Sequence, residues 1–116
     1  MNPIIKEQWL HALRSDKFKQ GRDYLHKDGK HCCLGVLCEL AVDAGVIDSF
    51  KAEGRPTIYG GYDEATLPQE VQDWAGLTED IPVVSVEIDD EEQHLASLND
   101  NGWTFKEIAD VIEKEL

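Results

Sequence analysis

The chain has 116 residues, 41% hydrophobic and 30% charged, which suits one domain with its own core and is too short for two. No apolar run reaches the roughly 18 residues of a membrane span, and the opening Met-Asn-Pro-Ile-Ile-Lys-Glu lacks the basic and apolar parts of a secretory signal. The net charge is −13, and residues 59–116 hold sixteen Asp/Glu against two Lys/Arg, a balance that repels nucleic acid and anionic membranes and keeps a cytoplasmic protein soluble.

Asn2 and Pro3 suit the N-cap and first position of a helix, and Ile5, Trp9, Leu10 and Leu13 mark its buried face as far as about Ser15. A basic connector with Gly21 follows. Asp28-Gly29 then predicts a two-residue hairpin turn, which sets Lys27 opposite Lys30, His26 opposite His31, Leu25 opposite Cys32 and Tyr24 opposite Cys33. His26, His31, Tyr24 and Cys33 thereby share a sheet face.

Residues 32–45 form the longest apolar run and hold all three cysteines. They predict a buried central helix whose Glu39 and Asp43 make one narrow wet stripe, with Gly45 as its left-handed stop. Residues 46–66 are rich in turn residues around a short strand at 57–59. Residues 67–75 predict a short helix capped by Thr66 and stopped by Gly76, and residues 81–88 an edge strand with Pro82 near its start. The acidic run 87–92 then leads into a short helix carrying Leu95 and Leu98, and residues 99–102 into a turn. In the last helix Thr104 and Glu107 form a capping box, with Phe105, Ile108, Ala109, Ile112 and Leu116 on one face. The expectation is a small α+β domain over residues 1–116, a central buried helix preceded by a β-hairpin, with flanking helices and a short sheet.

Trp9-Leu-x-Ala-Leu-Arg14, Gln20-Gly21, Cys32-Cys-Leu-Gly-Val-Leu-Cys-Glu-Leu-Ala41, Leu67-Pro68, Trp74-Ala-Gly-Leu77, Leu98-Asn-Asp-x-Gly102 and Phe105-x-x-Ile-Ala-Asp110 together resemble small proteins of tailed phages and prophages. The resemblance covers most of the chain. It implies a phage setting and a shared fold, and it supplies no catalytic residue. Accessory proteins of this kind act by binding and disabling, or redirecting, a host macromolecule such as a defence nuclease or a polymerase.

Cys32, Cys33, Cys38, His26 and His31 are all metal-ligand types. Five helical residues nevertheless separate Cys33 from Cys38 by about 140° in azimuth, and paired zinc-module spacings are incomplete, so neither a metal nor any other cofactor is expected. A thiol enzyme is the alternative from another class: Cys33 would be the nucleophile at a helix N-terminus, where the dipole lowers a thiol pKa, and His26 its base. A third reading gives the basic residues Lys17, Lys19, Arg22, Lys27 and Lys30, with the histidines, a small anion or nucleotide. With only Lys106 and Lys114 basic after Arg55, the last two helices do not make a DNA reader. The leading expectation is non-catalytic binding of an unidentified protein, such as a basic nucleic-acid-binding protein, through Asp63, Glu64, Glu79, Asp80, Glu87, Asp89, Asp90, Glu91 and Glu92, whose carboxylates would imitate a phosphate backbone.

Overall fold

A computed structural model describes residues 1–61, 63–86 and 91–116, and the side chains of these except at 85, 86, 91 and 92. At its centre lies the helix α2 (Cys33–Asp43), in which every residue from Cys33 to Cys38 is buried. Ahead of it come α1 (Pro3–Arg14) and three two-residue strands, β1 (Lys19–Gln20), β2 (His26–Lys27) and β3 (Lys30–His31). Behind it come β4 (Ser49–Phe50), β5 (Ile58–Tyr59), α3 (Gln69–Ala75), β6 (Val83–Val86), β7 (Glu91–His94), α4 (Leu95–Asp100) and α5 (Phe105–Glu115). The α+β class and the central helix are as the sequence predicts.

The hairpin register also holds. His26 pairs with His31 and Lys27 with Lys30, and Asp28 and Gly29 both take positive φ, 53° and 77°, as a tight hairpin turn of matching twist requires. The sequence reading gives no strand at β1, which lies parallel to β3 and completes the order β1-β3-β2. Cys33 is not on a strand opposite Tyr24; it is the first residue of α2, with Cys32 as the N-cap. The segment at residues 67–75 begins its helix only at Gln69, and its N-cap is Pro68, not Thr66. The acidic run does not lead directly into a helix, since Glu91–His94 pairs antiparallel with β6.

Helix α1 packs on α2 and α5, α4 on α2 and α5, and α3 on α2. The predicted end signals are present: Asn2 Oδ1 accepts from Ile4 and Ile5 N–H, Thr104 and Glu107 form the capping box, and Gly45 and Gly76 take φ of 76° and 71°. Arg14 closes the α1–α5 contact with 2.8 Å hydrogen bonds to both Asp110 and Glu113.

Polar groups fix the N-terminus of α2. The fully buried Trp9 donates its indole N–H to the Cys33 carbonyl at 2.9 Å. Asn99, also fully buried, accepts from the Cys33 N–H at 3.2 Å and from Gln20 Nε2 at 2.9 Å, and donates to the Gly21 carbonyl at 2.8 Å. Gln20 in turn donates to the Trp103 carbonyl and accepts from Phe105 N–H. One buried amide thus joins β1, the start of α2, and the turn between α4 and α5. Each of its polar atoms has a partner, as burial demands.

The hairpin meets α2 at Gly35. A Cβ on this residue would lie 1.7 Å from the Leu25 carbonyl oxygen and 2.6 Å from its carbon, far inside contact distance and against backbone that cannot rotate away. Gly35→Ala is therefore expected to destabilise the fold by about 3 kcal/mol or more, read as a lower urea midpoint in equilibrium unfolding. An unchanged midpoint would show that the helix and hairpin do not approach this closely.

Candidate functional site

One helical turn after Gly35, on the same face of α2, stands Glu39. The close approach at Gly35 therefore carries Glu39 toward the sheet. Its side chain is only 13% exposed, and it is not the wet stripe that the helical pattern predicts; Asp43, one turn on, is exposed. Three donors converge on Glu39 Oε1: the Tyr59 hydroxyl at 2.6 Å, His31 Nε2 at 3.3 Å and the Lys51 ammonium at 3.5 Å. The hydrogen bond from His31 leads these contacts in holding the Glu39 carboxyl down at about 2, against the opposing effect of burial. Tyr59 shifts the other way, because burial and the bond to Glu39 both disfavour its phenolate. It is a fixed hydroxyl donor.

His26 stacks on His31 with ring centroids 4.1 Å apart and planes 22° from parallel, and Phe18 meets His31 edge-on at 5.1 Å. His26 Nδ1 lies 2.6 Å from Thr57 Oγ1. Burial, the neighbouring His31 and Lys51 all lower the His26 pKa, in that order. His31 is buried and its Nδ1 has no hydrogen-bond partner. Beside His26 a surface hollow of about 280 Å³ is lined by Lys51 and Arg55 but also by Asp28 and Glu53. Two cations there stand beside two carboxylates, and Lys17, Lys19, Arg22, Lys27 and Lys30 do not line it.

The candidate thiol pair is not brought together. Cys33 is fully buried and its sulfur contacts the Leu95 carbonyl at 3.8 Å, whereas the His26 ring contacts Thr57 and His31. Burial pushes the Cys33 and Cys38 thiols well up, and Cys32 to about 11. That is the opposite of what an activated nucleophile needs, so desolvation outweighs the helix dipole.

The acidic candidates are spread. Glu64, Glu79 and Asp80 are exposed, and Asp63 is half-buried, bridging Tyr59 through its backbone and accepting from Thr66. Glu87, Asp89 and Asp90, with the side chains of Glu91 and Glu92, lie outside the described residues.

The cluster the structure assembles is thus Glu39, His31, His26, Tyr59, Thr57 and Lys51. Only the pairing of the two histidines was visible in the sequence, through the Asp-Gly turn. Glu39 carries a local signal as well: a carboxylate one turn from a glycine inside an apolar helix. His26, His31 and Glu39 each offer a ligating atom within 4.8 Å of the others.

Over residues 1–116 the chain matches a family described as a domain of unknown function (DUF8296). The chain belongs to this family. No curated protein and no solved structure matches it. Family membership covers the whole chain and brings no activity with it, so function rests on the site and the surface.

Two expected outcomes follow from the electrostatics. The folded state holds the His26 pKa below its ordinary 6.5 and that of Glu39 below its ordinary 4.5. In both cases the unfolded chain takes up protons that the fold refuses, so both contributions are present above the ordinary values and fade on acidification. The difference in urea midpoint between wild type and His26→Asn should shrink as pH falls below about 6.5, and that between wild type and Glu39→Gln below about 4.5. Differences that stay constant with pH would contradict the arrangement. Iodoacetamide should leave all three cysteines of the native protein unmodified and alkylate them in urea, as mass spectrometry would show. Rapid native labelling of Cys33 would restore the thiol-enzyme reading.

Proposed function

We propose that this is a phage- or prophage-type accessory protein of the cytoplasm, which acts without catalysis by binding a basic host or phage macromolecule through its acidic surface. The resemblance described above motivates the setting, and a host-defence enzyme or a nucleic-acid-binding protein is the partner class. The observation that carries the reading is the charge distribution, sixteen carboxylates against two lysines after Ile58. Glu64, Glu70, Asp73, Glu79 and Asp80 are all exposed, and none of them has an ion-pair partner among the described residues. Glu79 and Glu115, from the stretch after α3 and the end of α5, meet at one hollow of about 190 Å³, which Met1 also lines. An acidic field steers a basic partner and is screened over about 8 Å at physiological salt. The three buried thiols lend a thiol enzyme no support.

With the full chain as bait in a bacterial lysate, the proposal expects a basic nucleic-acid-binding protein to be retained at low salt and released as salt rises. The triple variant Glu64→Lys, Glu79→Lys, Asp80→Lys should lose it. If no basic protein is retained at low salt, or if the triple variant retains it equally, the proposal fails.

A further inference from the structure

We propose that His26, His31 and Glu39 form a binding site for one divalent transition ion of the zinc class. Two imidazoles and a carboxylate are the donor set that such ions take, and a third protein ligand leaves one position open to solvent or to an external group. Ligating atoms of the three, one from each residue, lie within 4.8 Å of one another.

Hydrogen bonding leaves each of the three with an atom to spare among the described residues. Every contact of Glu39 falls on Oε1, so Oε2 is unclaimed. His31 Nδ1 is buried without a partner, and the protein's own hydrogen bonds do not relieve it. With Nδ1–H donated to Thr57 Oγ1, His26 keeps a lone pair on Nε2. Tyr59 holds the Glu39 carboxylate through Oε1, the kind of outer support that ligating groups commonly have.

The stacked rings set one condition. A bound ion lies close to the plane of each imidazole that holds it, and two stacked planes do not converge at bonding distance. One ring must turn. His26 is the ring with room, since it is half-buried and faces the 280 Å³ hollow, whereas His31 is packed between His26, Phe18 and Glu39. The open coordination position then faces the hollow, where a water or a small anion can enter.

The test titrates the chelator-treated full chain with Co²⁺ and Zn²⁺. The expected result is one ion per chain, visible Co²⁺ ligand-field absorption that Zn²⁺ displaces, and a raised melting temperature. In ring-detected NMR of the wild type, Zn²⁺ should move His26 and His31 and leave His11 and His94 in place. His26→Gln, checked for folding by circular dichroism, should weaken binding by about a hundred-fold or more, while His11→Asn and His94→Asn bind as wild type. No Co²⁺ spectrum at millimolar ion, or Zn²⁺ shifts confined to His11 or His94, would overturn the site. So would undiminished affinity in His26→Gln.

Discussion

The contact between Gly35 and the Leu25 carbonyl is the constraint on which the rest of the structure depends. Helices seldom approach a strand backbone so closely, because a side chain normally stands between them. Here the missing Cβ lets α2 lie directly on the hairpin, and Leu25 O also accepts the Cys32 N–H at 3.2 Å. The hairpin therefore runs into the helix with no intervening loop. Trp9 and Asn99 then hold the carbonyl and amide of Cys33, so the first turn of α2 is fixed by α1, by α4 and by the strand before it. Losing Asn99 would leave the buried Cys33 N–H unsatisfied, at a cost of about 1–3 kcal/mol.

The polar cluster is a consequence of that seating. The face of α2 that touches the hairpin at Gly35 presents Glu39 one turn later, and β5 closes over it with Tyr59. A carboxylate in this position would be costly alone, since a buried charge needs partners. Tyr59, His31 and Lys51 supply them, while leaving His31 Nδ1 without one. The molecule thus carries negative charge in two different settings. One carboxylate is enclosed, paired and held by the fold, while the exposed ones between residues 64 and 80 have no ion-pair partner among the described residues.

Much of this fold is legible in the sequence because its signals are local. Asp28-Gly29 fixes the hairpin register, Asn2-Pro3 and Thr104-x-x-Glu107 start their helices, and the apolar run 32–45 identifies the core helix. What escaped depends on partners distant in the chain. The parallel pairing of β1 with β3 spans two residues and has no local signature, and the Glu-Glu-Gln-His sequence of β7 has little strand propensity of its own. A helical wheel assigns Glu39 to a polar stripe, but it says nothing of what covers that stripe. Asn99 has the composition of a turn residue and acts as a buried linchpin, and the dipole argument for Cys33 fails because depth of burial is invisible to spacing. The candidate site is hardest to see of all, since its six residues come from β2, β3, α2, β5 and the segments flanking β4 and β5.

If α2 and the hairpin are one unit through the Gly35 contact, native-state amide hydrogen exchange should report it directly. The Cys32 amide, bonded to Leu25, and the Cys33 amide, bonded to Asn99, should exchange only through global unfolding, with the same protection as the middle of α2. Exchange of Cys32 by a local opening, orders of magnitude faster than that of the Leu37 and Cys38 amides, would mean that the hairpin lifts away from the helix and would contradict the account.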